Sequence, residues 1–410
     1  MYTFRKFEHK RDIEAARRIW LEVQWLSDPK ETEMLDAFLK EGRALVADLN
    51  GNAECLVTAK SGSLKYLNEE LELSIVASVT TSRIARKQGL ATRLTAQLIA
   101  EEAEAGALVS TLGIFEQGFY DQLGYGSGSY VNWMSFDPAD INTSNDFRPP
   151  IRLGKDDAKK IHHAMQNRRR HHGGVTLYPE PFVEAELAWA KDGFGLGYAD
   201  EESGELTHFF YGNSKDEFGP MNIYFMAFQT TDQFLELMAL LKSLGDQIRL
   251  VKMREPGGMQ LQDLIKNPFR SRIVTEKSKF EHTNRASAYW QTRICDLEAC
   301  IKATHLNSRP LRFNLDLSDP LADILSEREG WKGCAGKYTI ELGPESNVVG
   351  GFNSELPVLV ADIGSFTRLW LGVRPATGLT ITGKLSGPDQ LLHDLDEVLC
   401  LPVPQTDWDY

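Results

Sequence analysis

The chain has 410 residues, of which 42% are apolar and 25% are charged, and its formal net charge at pH 7 is -13. The length predicts two or three domains, and the composition is that of a globular protein without an apolar run long enough to cross a membrane. The negative charge argues against nucleic acid as a main partner, and it fits either a cationic small molecule or simple solubility.

The N-terminus and the cysteines indicate the compartment. The first residues contain no apolar core, so we expect no signal peptide. The cysteines are odd in number and unevenly spaced: Cys55, Cys295, Cys300, Cys334 and Cys400. This pattern predicts buried thiols in a reducing compartment, the cytoplasm, rather than a disulfide framework, and no zinc site is expected at Cys295 and Cys300.

The first third of the chain alternates short apolar runs with amphipathic ones. In chain order these predict a strand at 3–7, a helix at 12–25, a helix at 32–40 and a strand at 43–48. Asp12 is expected to cap the first helix. Asn50-Gly51 predicts a tight turn into a hairpin strand that starts at Cys55.

The most informative stretch is a strand, a basic loop and a helix. Residues 73–81 are apolar and β-branched, and Leu90, Leu94 and Leu98 recur on one helix face. The intervening loop exposes free backbone N–H groups at the positive end of a helix dipole, which is a typical anion site. It lacks the lysine and hydroxyl residue of a mononucleotide P-loop and the three glycines of a dinucleotide fingerprint.

A second pattern follows the next predicted strand, at 108–114. Tyr120 is predicted on a short helix that Gly124 ends, and the aromatic Tyr125 comes directly afterwards. A buried aromatic residue with a satisfied hydroxyl would give the same pattern.

Together the two patterns resemble the GCN5-related N-acetyltransferases (GNAT). The spacing Arg86-x-x-Gly89-x-Ala91 is similar to motif A of that family, which holds the pyrophosphate of acetyl-coenzyme A. The resemblance implies a set of coenzyme-binding residues: Val79, Thr81, Arg86, Lys87, Gly89, Leu90 and Ala91. It also implies that the Val79 N–H stabilises the thioester oxygen and that Tyr120 protonates the leaving thiolate.

The rest of the chain predicts two more units. Residues 147–285 repeat the strand–helix order without the Arg-x-x-Gly-x-Ala loop, and residues 286–410 form an α+β pattern that resembles the sterol-carrier-protein fold. The histidines at 162, 163, 171 and 172 lack carboxylate partners at ligand spacing, so no metal is expected. The predicted fold class is therefore two mixed α/β GNAT units, 1–146 and 147–285, followed by a sterol-carrier-like α+β domain.

This three-unit order resembles the Eis (enhanced intracellular survival) family of GNAT enzymes. In that family the terminal carboxylate reaches the active site of the first domain, which implies this role for Tyr410 and an added negative charge from Asp409. Without the family, a frayed chain end is the simpler reading of Tyr410. Trp25, Asp28 and Ser78 are the weaker candidates for the substrate pocket, and each could equally be core or surface.

The implied activity is acetyl transfer from acetyl-CoA to a primary amine of an aminoglycoside, a polyamine or lysine, by direct transfer in a ternary complex. A lipid or sterol carrier and a non-catalytic acetyl-CoA sensor are the two alternatives. We expect a homo-oligomer, since relatives form hexamers, although the sequence does not fix the number of subunits.

Overall fold

The computed structural model describes residues 2–28 and 32–410, and its strands form three mixed sheets flanked by helices. The first part of the chain contains the strands β1 (Tyr2–Lys6), β2 (Arg43–Leu49), β3 (Asn52–Tyr66), β4 (Glu69–Thr81), β5 (Val109–Gly113) and β6 (Gly126–Ser127). Its helices are α1 (His9–Glu22), α2 (Glu33–Phe38), α3 (Leu90–Glu104) and α4 (Gln117–Asp121). Asn50 and Gly51 both have positive φ and join β2 to β3, which confirms the predicted hairpin.

The second part repeats this order with shorter hairpin strands. Its strands are β7 (Val131–Phe136), β8 (Ile151–Leu153), β9 (Val175–Leu177), β10 (Phe194–Ala199), β11 (Leu206–Ser214), β12 (Met221–Ala227), β13 (Val251–Arg254) and β14 (Thr283–Ser287). Its helices are α5 (Ala158–Asn167), α6 (Glu180–Trp189), α7 (Thr231–Ser243) and α8 (Pro268–Thr275).

The third part has an α+β arrangement. Its strands are β15 (Trp290–Ile294), β16 (Leu311–Ser318), β17 (Gly336–Leu342), β18 (Asn347–Gly350), β19 (Val358–Asp362) and β20 (Leu385–Ser386). Its helices are α9 (Leu297–Lys302), α10 (Leu321–Ile324), α11 (Ile363–Trp370), α12 (Ala376–Leu379) and α13 (Asp389–Val398). Five of these strands form one sheet in the order β18-β17-β16-β19-β20.

Two strands lie in the sheet of a different unit from the one predicted to contain them. The first sheet has the order β1-β2-β3-β4-β5-β15-β6, with β9 paired to β3, and the second has the order β14-β7-β13-β12-β11-β10-β8. Strand β15 thus completes the first sheet from far along the chain, and β7 crosses into the second. The predicted boundaries after residues 146 and 285 therefore need correction at these strands, because apolar patterning locates a strand but not its partner.

Two further predictions about elements are wrong. Helix α1 begins at His9 with Glu8 at the N-cap position, so Asp12 lies inside its first turns, where it is buried, binds the guanidinium of Arg5 at 2.6 and 2.8 Å and accepts from the Glu8 N–H at 2.8 Å. The apolar and β-branched run at 379–383 predicts a further strand, but these residues form the end of α12 and a 3-10 turn. Gly383, with φ +73°, stops that turn, since β-branched residues before a left-handed glycine can imitate a strand pattern.

The third unit is docked onto the first through a shared core. The ring of Tyr66 on β3 stacks on that of Trp370 on α11, with centroids 4.3 Å apart, and the Tyr66 hydroxyl donates to the Trp370 carbonyl. Arg293 on β15 forms a fully buried ion pair with Asp319 at 2.6 Å, and it also donates to the Leu123 carbonyl. Aromatic stacking and the hydrogen bond from the buried Arg293 to the Leu123 carbonyl therefore join the units.

We expect Arg293→Met to lower the free energy of unfolding by roughly 3–5 kcal/mol, because it leaves the Asp319 carboxylate buried without a cation. The midpoint of urea unfolding measures this loss. The control is Lys302→Gln, which breaks the exposed ion pair with Glu298 (2.6 Å) and should cost less than about 1 kcal/mol. Equal effects of the two substitutions would contradict the structural role of Arg293.

Candidate functional site

The site begins at a bulge in β4. Thr58 pairs with Ala77 and Leu56 pairs with Thr80, so Ser78 and Val79 stand opposite one residue of β3. Ser78 has φ +53°, and its buried hydroxyl has no hydrogen-bond partner in the part of the chain that the structure describes. Such a bulge bends the strand and turns its backbone groups away from the ladder.

Strands β4 and β5 separate shortly before the bulge. The two strands pair in parallel only through Leu73–Ile75 and Val109–Thr111. The space between them beyond Ile75 and Thr111 is called here the first wedge. The predicted coenzyme residues Val79 and Thr81 lie on the β4 side of this wedge, where the β4 edge is no longer paired with β5. A free strand edge can pair with an extended ligand.

The loop that follows has the features of an anion site. Lys87 and Gly89 have positive φ, and Gly89 precedes α3 without a side-chain cap or an acidic residue in the first turn. Arg86, Lys87 and Arg93 are exposed, and among residues 2–28 and 32–410 their charged groups have no hydrogen-bond or ion-pair partner. Space around Gly89 is open, so the free N–H groups of Leu90 and Ala91 can be reached by a ligand.

Tyr120 lies on α4, the short helix that follows β5. Its side chain is only 3% exposed and contacts the rings of Phe119 and Phe115, with centroids 4.9 and 6.0 Å away. Its hydroxyl makes no hydrogen bond to the described chain, unlike that of Tyr125, which lies 2.7 Å from the Ser110 hydroxyl. Burial raises the pKa of the Tyr120 phenol above its usual range, so this group keeps its proton at neutral pH.

The last residue lies in the first wedge. The Tyr410 hydroxyl is 2.9 Å from that of Thr111, and a Cβ added to Gly113 would be 2.8 Å from the Tyr410 backbone oxygen. The Thr111 hydroxyl also donates to the Gln291 carbonyl, so the Tyr410 phenol is the donor to Thr111. Burial raises the pKa of this phenol to about 12, which keeps it a donor.

The preceding residues are held mainly by the second unit. Asp407 accepts from the Arg168 guanidinium at 2.7 and 3.0 Å and from the Val175 N–H at 3.0 Å. Trp408 is buried and donates to Glu186 at 3.2 Å. Burial raises the pKa of Glu186 well above its usual range.

Asp409 is also engaged by its surroundings. It binds the Arg254 guanidinium and accepts from the Tyr289 hydroxyl at 2.6 Å. Its predicted contribution, an extra negative charge for the substrate, is therefore offset by Arg254. The geometry assigns Asp409 to holding the chain end.

The remaining substrate candidates are spread along the first unit. Trp25 is 38% exposed and contacts the buried Trp20 edge to face, with centroids 5.2 Å apart. Asp28 is exposed at the end of the described stretch 2–28. Of these candidates, only Ser78 lies on the bulge of β4. Trp25 and Asp28 lie on the segment that follows α1.

Sequence reasoning missed several residues of the site. Arg93 lies one turn into α3 and adds a third unpaired cation, which its sequence position after the loop could have suggested. Thr111, Gly113 and Arg254 carry no local signal, because their roles depend on contact with a chain end about 150 to 300 residues away.

The second unit lacks the corresponding anion site. The Thr230 hydroxyl accepts from the Gln233 N–H and the Gln233 side chain accepts from the Thr230 N–H, which closes the N-terminus of α7. Asp232 places a negative charge in the same turn. These features disfavour an anion at the N-terminus of α7, whereas the N-terminus of α3 in the first unit is open.

Neither a metal cluster nor a membrane span is found in residues 2–28 and 32–410. Within these ranges, no group of three or more His, Cys, Asp or Glu side chains could hold a metal ion. None of the helices in this part of the chain has the length and apolar character needed to cross a membrane.

Comparison with known proteins identifies the first unit. Residues 4–128 match the family model described as an acetyltransferase (GNAT) domain. The first unit is a GNAT acetyltransferase domain. This domain is an acyltransferase domain, and the GNAT family to which it belongs uses acetyl-CoA as its acetyl donor.

Relatives of similar length support the same fold for the whole chain. An uncharacterized N-acetyltransferase of Streptomyces avermitilis is 23% identical over 398 residues, which cover 89% of this chain and 88% of the relative. A conserved protein of unknown function from Enterococcus faecalis, described as a probable N-acyltransferase, has a TM-score of 0.79 at 17% identity, with all of both chains covered. Eis1 from Mycobacterium abscessus has a TM-score of 0.75 at 13% identity, also with full coverage of both chains. The first two units are thus tandem GNAT-like folds with mixed sheets flanked by helices.

Proposed function

We propose that this GNAT protein transfers an acetyl group from acetyl-CoA to a primary amine, by direct transfer in a ternary complex. The observation that carries the proposal is the position of Tyr410, whose backbone oxygen approaches Gly113 inside the first wedge of a GNAT domain. A carboxylate at that point can accept a proton from an ammonium group, which cannot attack a thioester until it is deprotonated.

The residues of the first wedge fit the coenzyme. Arg86, Lys87 and Arg93 offer unpaired positive charge, and the open N-terminus of α3 offers the N–H groups of Gly89, Leu90 and Ala91 to a pyrophosphate. The free edge of β4 at Val79 and Thr81 would bind the pantetheine arm as an added strand.

The catalytic steps follow from the same groups. A free α-carboxyl group ordinarily has a pKa of about 3.5, so the terminal carboxylate is ionised at neutral pH and removes a proton from the amine directly or through water. The Val79 N–H stabilises the negative charge that develops on the carbonyl oxygen. Tyr120, which is protonated at neutral pH, donates its proton to the leaving thiolate.

Aminoglycosides, polyamines and lysine side chains are the candidate amines. The net charge of -13 attracts such cations, and the exposed face of Trp25 can contact an amine through a cation–π interaction. Asp28 and Ser78 are proposed to line the same pocket. Ser78 has a buried hydroxyl without a partner in the described chain, and a substrate would satisfy it.

Three further properties are proposals. The five-stranded sheet and its helices support a sterol-carrier-like fold for the third unit. The exposed apolar side chains of α8, Phe269 and Ile273 (69% and 75% exposed), support a homo-oligomer. Four buried free thiols support a cytoplasmic location.

Thiol release from acetyl-CoA, measured against a panel of polyamines, aminoglycosides and lysine peptides, tests the activity. We expect release that depends on the amine, with the acetylated amine detected by mass spectrometry. Coenzyme binding without release for any amine would favour the sensor alternative. Stoichiometric lipid recovered from the purified protein, again without release, would favour the carrier.

A further inference from the structure

The second unit contains a wedge that corresponds to the first. Strands β12 and β13 pair in parallel only at Met221–Asn222 and Val251–Lys252, after which they separate. The space beyond this pairing is called here the second wedge. Arg254 lies two residues past the last pair of β13, as Gly113 lies two residues past the last pair of β5.

The neighbouring strands confirm that these two positions are equivalent. Gly113 pairs with Trp290 on strand β15, and Arg254 pairs with Trp133 on strand β7. Gly113 lies against Tyr410, the last residue of the chain, and Arg254 binds Asp409, the residue before it.

The second wedge is occupied by the C-terminal segment. Gln405 and Asp407 line the cavity there together with Arg168, Met253 and Glu255. The Gln405 N–H donates to the His172 carbonyl at 2.9 Å, and its side chain accepts from the Gly258 N–H at 3.0 Å. The backbone of the segment is thus bonded to the second unit before it reaches the first wedge.

Two buried arginines hold the segment by charge. The side chains of Arg168 and Arg254 are only 2% and 12% exposed, and each is paired with an aspartate of the segment. Buried cations of this kind need their partners, since water does not replace them. The Arg254 guanidinium also donates to the Thr406 carbonyl at 3.3 Å, so it holds the backbone just before Asp407 as well as the side chain of Asp409.

We propose that the second wedge is a cradle that positions the terminal carboxylate of Tyr410 in the first wedge. Arg254 and Arg168 are positioning residues that act through Asp409 and Asp407. The second unit thereby supplies a part of the active site, although it has no open helix N-terminus of its own at α7. The contacts alone support the docking of the C-terminal segment onto the second unit. Only the effect of this docking on catalysis rests on the proposed function.

Digestion with a carboxypeptidase that accepts a C-terminal tyrosine tests the docking. Intact mass first verifies that Tyr410 is the last residue. We expect release of Tyr410 to be roughly 10- to 100-fold faster in Arg254→Met and in Asp409→Ala, the range for loss of a hydrogen bond to a charged group. Rates are divided by those of synthetic peptides with the same last residues, which removes the preference of the protease.

The matched control is Arg148→Met, which breaks an ion pair with Glu236 (2.9 Å) in the same unit without touching the segment. It should leave Tyr410 as protected as in the wild type. The double variant of Arg254 and Asp409 should increase the rate by less than the product of the two single effects, because both substitutions remove the same Arg254–Asp409 ion pair. Wild-type rates in a folded Arg254→Met or in Asp409→Ala would overturn the proposal, and Asp409→Ala decides the question if Arg254→Met does not fold.

Acetyl transfer tests the consequence for catalysis. In Arg254→Met we expect kcat to fall about 10-fold or more while the KM for acetyl-CoA is unchanged, and Arg254→Lys should recover part of kcat. A protein trimmed of Tyr410 that keeps full kcat would overturn the catalytic part. If the wild type acetylates no amine, the proposed function fails, but the digestion rates still decide whether the cradle exists.

Discussion

Extending the chain by a few residues past Tyr410 should lower kcat for amine acetylation by roughly 10²- to 10⁴-fold, the contribution of one general base. The added peptide bond turns the terminal carboxylate into a neutral amide, which cannot take a proton from an ammonium group. It also forces chain into the first wedge, where the Tyr410 oxygen already lies close to Gly113. Steady-state kinetics with the best amine of the panel measure the loss.

Two variants separate the carboxylate from the side chain that carries it. Tyr410→Phe loses the hydrogen bond to Thr111, worth about 1 kcal/mol, but keeps the carboxylate, so its kcat should stay near that of the wild type. Full activity of the extended protein would remove Tyr410 from the mechanism and leave the enzyme class unaffected.

The close approach at Gly113 offers a test that leaves the C-terminus unmodified. Gly113→Ala should also lower kcat, because the new methyl group would meet the Tyr410 oxygen at 2.8 Å and displace it. The matched control is Gly118→Ala on α4, where an added Cβ meets nothing within 4 Å. A loss in the control equal to that in Gly113→Ala would show that the effect is not specific to the chain end.

The part of the site that the sequence predicts is local. A strand, a glycine-containing loop and a helix are predicted within residues 73–98, and the structure has β4, Gly89 with positive φ and the uncapped α3 there, whereas the sequence does not predict the bulge in β4. The helix bearing Tyr120 and its stop at Gly124 are local in the same sense. Such elements depend on backbone preferences and on one hydrophobic face, which neighbouring residues determine.

The part that the sequence does not predict depends on distant partners. Strands β7 and β15 each pair in the sheet of a unit other than the one predicted to contain them, and nothing in their composition selects that partner. The same holds for Arg168 and Arg254, which read as surface charges until the chain end is seen against them. A charged residue is expected to be exposed unless its partner is known.

The two tyrosines of the α4 region should respond in opposite ways to loss of the hydroxyl. Tyr120→Phe should lower kcat by about 10²-fold, at the low end for a general acid, because burial raises its pKa and makes it a weaker acid. Its stability should be unchanged, since the hydroxyl makes no hydrogen bond within the described chain. Tyr125→Phe should keep kcat but lose about 1 kcal/mol of unfolding free energy with the Ser110 bond.

This pair of variants distinguishes chemistry from folding, because the tyrosines share a helix end and their rings lie 6.2 Å apart. Initial rates at saturating acetyl-CoA and urea midpoints on the same preparations give both quantities. If Tyr120 were only a packing residue, its variant would keep kcat, since phenylalanine fills the same volume against Phe115 and Phe119. Loss of kcat in both variants to the same degree would assign the effect to the aromatic cluster and leave the proton donor to be found elsewhere in the first wedge.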